Sequence, residues 1–287
     1  MKLRLILLVF VGLWGIDGRV LAQDKPVVAM IGTGNLAGEF GPAIGRSGYT
    51  VIYGSRDPAR DVVRALVQRT GPNASAVTQR EAVARADVVI LGVPGDVLEE
   101  VTANLGNLAG KIVVDVSGGL KRIAEDGYLE LVSDSTNSER IQVNHPAAHI
   151  VRVNLPINAI PFFLDPVLLG TPPTVLIASD NPRARAIVAG IMFDIGLDPW
   201  DAGPLRFSRV FDALNTMLLV PLQQERTEGY ELKILPGVSL SCFLNVSEFF
   251  GFGRPYDLDN RVPFPRRSPP VPCDDWRQRL GIGGARQ

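Results

Sequence analysis

Short apolar runs separated by segments of helical spacing fill most of the chain. Residues 27–31 (V-V-A-M-I) and 50–53 (T-V-I-Y) each run into glycine, with a segment of helical length between them. A weaker run covers 74–77, and D-V-V-I-L-G-V at 87–93 reads as a strand buried on both faces. Further runs lie at 111–116, 150–153 and 174–178. Between them Val62, Val63, Leu66 and Val67, then Val97, Leu98, Val101 and Leu105, recur at the spacing of one helix face. Asp57-Pro58 reads as the start of the first of these helices, with Asp57 as its N-cap. Asn181-Pro182 starts another, which Gly196 ends. Residues 198–205 read as a tight turn and 127–138 as polar and irregular. A last helix is expected from Ser208 toward Gln224, burying Val210, Phe211, Leu214, Met217 and Leu218. Strands alternating with helices predict an α/β fold: a Rossmann-type, doubly wound, mostly parallel sheet with helices on both faces and a small C-terminal helical part.

The first strand–helix turn carries the chemistry. Gly32, Gly34 and Ala37 match G-x-G-x-x-A. One glycine makes the turn, the next admits a pyrophosphate to the backbone, and the small third residue lets helix pack on strand. A helix N-terminus offers unpaired N–H groups and positive dipole to phosphate. At the end of the second strand, where an Asp or Glu would bind a ribose 2′-hydroxyl, the chain reads Gly54-Ser55-Arg56, with Arg60 further on. A hydroxyl and two guanidiniums suit a 2′-phosphate, which arginine binds bidentately. NADPH is therefore expected over NADH. Val93-Pro94 ends a later strand and should border the cofactor, and Ser117, which ends another, is placed to approach the nicotinamide side.

Composition changes this picture little at the centre and more at the ends. The 287 residues are 46% hydrophobic and 21% charged with net charge −1, so no basic field points to nucleic acid. Residues 1–22 read as a cleavable signal peptide: Lys2 and Arg4, an apolar stretch, then Val20-Leu21-Ala22 before Gln23. That predicts export to a periplasm or secretory pathway with no membrane span after cleavage; an uncleaved anchor is the alternative. Residues 23–227 form the expected NAD(P)-binding domain and 228–287 a Pro/Gly-rich, partly disordered tail. Cys242 and Cys273 could pair or stand as two unrelated thiols. Asn73 and Asn245 begin glycosylation sequons. The two histidines, His145 and His149, cannot make a three-histidine metal site, and turn residues beside a strand are their preferred reading over catalysis. No metal is expected, and no catalytic residue is identified.

The stretches I-G-T-G-N-L-A, Y-G-S-R-D-P, I-V-V-D-V-S and D-A-G-P-L-x-x-S-R resemble the NADP oxidoreductases that depend on the deazaflavin coenzyme F420. They are similar also to the reductase domain of the STEAP-type metalloreductases. The resemblance implies NADP contacts at Gly32, Thr33, Gly34, Asn35 and Leu36, a 2′-phosphate site at Ser55, Arg56 and Arg60, and Val93 and Pro94 beside the nicotinamide. It implies direct hydride transfer from NADPH to a flavin-like acceptor such as coenzyme F420 or a flavin, no essential acid or base, and a homodimer. Three features depart from it. Pro42 sits inside the helix after the glycine-rich turn, where proline costs ~3 kcal/mol and introduces a kink. Arg152-Val153-Asn154-Leu155 replaces the family's Lys-Ala-Phe-Asn, and a signal-like leader precedes the whole. The alternatives are an exported, non-catalytic dinucleotide-binding protein and, ranked lower, a pyrroline-5-carboxylate reductase-like enzyme.

Overall fold

In the computed structural model, which describes residues 25–155, 170–220, 224, 232–234, 262–265 and 267, the apolar runs become one eight-stranded sheet. Its strands are β1 (Val28–Ile31), β2 (Val51–Ser55), β3 (Ala74–Thr78), β4 (Val88–Leu91), β5 (Ile112–Asp115), β8 (His149–Asn154), β9 (Thr174–Ala178) and β10 (Asp198–Gly203). The order is β10-β9-β8-β5-β4-β1-β2-β3. Every pairing is parallel except β8 with β9. The expected doubly wound α/β sheet is therefore present.

Alternate strand residues feed two cores. Val28, Met30, Val51, Tyr53, Val88 and Ile90 face one side. Helices α1 (Asn35–Arg46), α2 (Asp61–Thr70) and α6 (Pro182–Asp194) cover it. Ala29, Ile31, Ile52, Val89, Leu91 and Val113 face the other, covered by α3 (Gln79–Arg85), α4 (Leu98–Asn104) and α5 (Asn137–Asn144). With both faces covered, the central strands β1 and β4 are apolar throughout rather than alternating. Capping boxes start α3 at Thr78/Glu81 and α5 at Thr136/Glu139, and Asn181 caps α6 through the Ala184 N–H.

Several expectations are corrected. Helix α2 begins at Asp61, not at Asp57-Pro58. The Asp57 carboxylate accepts from the Ala59 N–H and its own N–H donates to Ser55 Oγ, so Asp57 serves a turn rather than a helix end. Residues 198–203 are the strand β10, paired parallel to β9 with a bulge near Gly203. Proline in D-P-W-D-A-G suggests a turn, but β10 is an edge strand, where proline is tolerated. Within 127–138, β7 (Leu129–Leu131) pairs antiparallel with β6 (Lys121–Ile123), and α5 follows. On the last helix, α7 (Ser208–Leu218), Phe211 is buried, but Val210 and Met217 point outward; the buried face is Ser208, Phe211 and Asp212.

Helix α1 runs unbroken through Pro42. Proline leaves the Gly38 carbonyl without its usual donor, and the Arg69 guanidinium at the end of α2 donates to it instead. The glycines of α1 serve close packing: a Cβ at Gly41 would overlap the Tyr53 hydroxyl, and one at Gly45 would lie 2.7 Å from Thr70. Beneath them the Tyr53 hydroxyl and Thr70 Oγ1 are 2.6 Å apart, and burial pushes the Tyr53 pKa up to about 12.

Part of the chain beyond α7 is anchored. The Leu232 carbonyl accepts from Thr174 N–H, and Ile234 N–H donates to Thr174 Oγ1. Asp198 takes both Lys233 Nζ at 2.5 Å and the Arg267 N–H at 2.9 Å. The expected signal peptide at residues 1–22, Cys242, Cys273 and Asn245 lie outside the described residues. Among the described residues no helix is long and apolar enough to cross a membrane.

Candidate active site

The carboxyl ends of β1, β2 and β4 open onto a cleft of about 820 Å³. Gly32, Thr33, Gly34, Gly54, Ser55, Arg56, Arg60 and Val93 line it, together with Asp57, Gln79, Gly92, Val97, Glu100, Val101 and Asn104. The glycine-rich turn is built as its spacing demands. Gly32 has φ +108°, and a Cβ there would sit 2.6 Å from the Gly92 carbonyl oxygen. A Cβ on Gly34 would meet nothing within 4 Å, so the turn is open on its cleft side. Ala37 is fully buried where α1 meets the sheet. Gly34 is the N-cap of α1 and makes no side-chain cap, leaving first-turn N–H groups open to a ligand.

The structure brings together Gly32, Thr33, Gly34, Ser55, Arg56, Arg60 and Val93. Asn35, Leu36 and Pro94 do not line the cleft: the first two begin α1, with Leu36 packed on the core, and Pro94 is exposed. Ser55 Oγ is engaged, donating to the Asp57 carbonyl at 3.0 Å and accepting the Asp57 N–H at 3.2 Å. Arg56 is exposed, and Arg60 reaches Thr33 Oγ1 only at 3.5 Å. Two acids, Asp57 and Glu100, line the cleft together with the arginines. The Asp57 carboxylate is turned into its own loop at Ala59.

A second polar group stands at the carboxyl ends of β5 and β8. Register places Arg152 beside Asp115, with the small Ala178 on its other flank. Arg152 is 1% exposed; Nη1 lies 3.4 Å from Asp115 Oδ1 and Nη2 donates to Asp212 Oδ1 at 2.8 Å. Ser138 Oγ donates to Asp115 Oδ2 at 2.5 Å, and the Ser117 N–H to Asp115 Oδ1 at 2.8 Å. Burial raises the Asp212 pKa against the opposing pull of Arg152. Asn137 Nδ2 donates to the Gly95 carbonyl at 3.1 Å and to Ser117 Oγ at 3.2 Å, tying the loop after β4 to the loop after β5. Arg209, in the D-A-G-P-L-x-x-S-R stretch, instead pairs with Glu139 on the surface.

Sequence reading missed Asp115, Asn137, Ser138 and Asp212 and treated Arg152 only as a departure. The readable signal was a charge inside an apolar strand, in I-V-V-D and H-I-V-R-V. Of the histidines, His149 borders β8 and hydrogen-bonds Asn181 at 3.0 Å, a supporting role. Among the described residues no cluster of three His, Cys, Asp or Glu could hold a metal.

Comparison with known proteins agrees with the fold. Residues 27–119 match the family described as NADP oxidoreductase coenzyme F420-dependent. The metalloreductase STEAP3 of Rattus norvegicus is 28% identical over 198 residues, covering 69% of this chain and 38% of that protein. The chain thus spans well under half the length of this relative. Among solved structures, one assigned as an F420-dependent NADP-reductase from Arthrobacter sp. FB24 has TM-score 0.63 at 23% identity, covering 73% of this chain and 99% of that one. A reductive aminase from Aspergillus terreus in complex with NADPH has TM-score 0.53 at 16% identity, covering 70% of this chain and 63% of that one.

Proposed function

We propose, from the match of residues 27–119 to a family of coenzyme F420-dependent NADP oxidoreductases, an NADPH-dependent reductase that passes hydride to a flavin-like ring such as coenzyme F420 or a flavin. The observation that carries the NADP preference is the placement of Arg56 and Arg60 on one wall of the cleft whose floor is the Gly32–Gly34 turn. The open N-terminus of α1 and its backbone N–H groups take the pyrophosphate. Arg56 and Arg60, with Ser55 once its hydroxyl turns from Asp57, take the 2′-phosphate. Val93, after β4, sits beside the nicotinamide. Bound NADP supplies the hydride. The chain's residues orient it and exclude water along the apolar wall of Val93, Val97 and Val101. Export by residues 1–22 and a homodimer are carried in the same proposal; N-terminal sequencing of the mature chain and sedimentation test them.

The test is Arg56→Asp. Loss of one charge-assisted contact, ~1.5–3 kcal/mol, should weaken NADPH binding about tenfold to hundredfold while NADH changes little. Equal losses for both nucleotides would reject the 2′-phosphate assignment.

A further inference from the structure

Lys121 opens β6 one residue after the Ser117-Gly118-Gly119 turn, and its side chain folds back over that turn. A Cβ built on Gly118 would lie 3.1 Å from Lys121 Nζ. The amine's one hydrogen bond among the described residues is long, 3.4 Å to the Gly119 carbonyl. An ammonium has three donors, so most of its capacity is unspent. On the far side of the turn stands Asp212: a Cβ on Gly119 would be 2.6 Å from Oδ2, while Oδ1 is held by Arg152. On the near side, a Cβ on Gly95 would be 2.6 Å from the Gly118 carbonyl oxygen. Gly95 follows the cleft residue Val93 by two positions, so the loop that borders the nucleotide cleft packs on the turn that this half-buried amine covers.

Resting on the reductase reading above, we infer that Lys121 is the residue that meets the hydride acceptor. Its ammonium binds the carbonyl oxygen or ring nitrogen on which charge builds, which selects an electron-poor conjugated ring bearing a carbonyl. In the step, hydride leaves the reduced nicotinamide with its electron pair and bonds to an electrophilic ring atom. The nicotinamide is oxidised and the ring is reduced by two electrons. Negative charge moves to the ring's oxygen or nitrogen, and Lys121 gives that atom one proton. The neutral amine then takes a proton from water. Any side chain at Gly118 or Gly119 would strike Lys121 or Asp212, so the two glycines let the amine and the carboxylate close over the turn.

The charges facing the amine are Asp212 from α7 and Arg152 from β8. Burial holds the Lys121 pKa below the ordinary lysine value; Asp212 opposes this and Arg152 reinforces it. The protonated amine is the active form, so turnover should fall as pH rises through that lowered pKa.

The experiment uses the purified full chain, its Lys121→Met and Lys121→Gln variants, and Lys121→Arg. Binding of oxidised coenzyme F420 and of FMN is titrated with NADP⁺ present, and NADPH binding is titrated separately. Losing a charge-assisted contact should weaken ring binding and lower kcat by about tenfold or more in Met and Gln, with NADPH affinity within about twofold. Lys121→Arg should recover most of both. The high-pH fall in kcat should vanish in Met and move upward in Arg. Ring binding and kcat within about twofold of wild type in Met or Gln would overturn the inference, as would a wild type that binds NADPH but neither ring. Failure to bind NADPH with Lys121-dependent ring binding intact would sink the nucleotide assignment and leave Lys121 standing.

Discussion

The two ends of the sheet's carboxyl edge use arginine in opposite ways. Beyond β2, Arg56 and Arg60 stand exposed on an open cleft, and Arg60 is only weakly engaged, 3.5 Å from Thr33 Oγ1. Beyond β5 and β8, Arg152 is sealed between two carboxylates. The same guanidinium has donors to offer a ligand where they are unspent and locks the fold where burial forces them to be spent. Desolvation decides which: a buried charge must be paired, whereas an exposed one contributes little to stability.

The sharpest way to break this contrast is Arg152→Met. It removes one partner of a buried network and strands Asp115 and Asp212, so unfolding in urea should show a loss of ~3–5 kcal/mol. The pH dependence has a definite sign. Arg152 holds the Asp212 pKa down, so its removal raises a value that burial already elevates. A carboxyl whose folded pKa exceeds its unfolded one contributes stability at low pH that is lost as pH rises. The deficit should therefore be largest near neutrality and shrink as pH falls through the raised pKa. A loss under ~1 kcal/mol would mean that the network is wet, contrary to its burial.

The complementary change is Arg60→Met at the other end. Stability should stay within ~0.5 kcal/mol, as for surface substitutions, while NADPH affinity falls about tenfold and the salt dependence of binding is reduced. Titration of NADPH against NADH, alongside a melt, checks both halves. A variant that melts early but binds normally would reverse the roles given to the two ends.

How much of this was legible follows the same line. The nucleotide end was readable because each of its parts has a local cause: Gly32 needs positive φ, Gly34 needs open space, and Ala37 needs a small side chain against the sheet. The β5–β8 end was not, because its meaning lies in partners distant along the chain, Arg152 with Asp115 and Asp212. Helix α5 was missed because its residues are mostly polar, although T-N-S-E at 136–139 is a capping-box pattern. Strand β10 was missed because proline marks turns unless the strand is at an edge, and edge position is a property of the finished sheet.

Arg69 is an intermediate case and tests the comparison most finely. It is half exposed, yet it donates to the Gly38 carbonyl that Pro42 leaves unserved. If its role is to replace a missing backbone donor, its worth depends on Pro42. Arg69→Ala should cost ~0.5–1.5 kcal/mol in an otherwise unchanged chain. With Pro42→Ala, residue 42 regains an N–H placed to reach the Gly38 carbonyl, so the same Arg69→Ala should then cost only a few tenths of a kcal/mol at most. A double-mutant cycle measured in urea should return a coupling of ~0.5–1 kcal/mol, at the lower end of what contacting residues show. Strict additivity would mean that Arg69 acts through its ion pair with Glu39, 3.6 Å away, and that α1 tolerates Pro42 without a surrogate donor. Coupling would place Arg69 with Arg152, as a guanidinium spent on the fold, despite an exposure closer to that of Arg60.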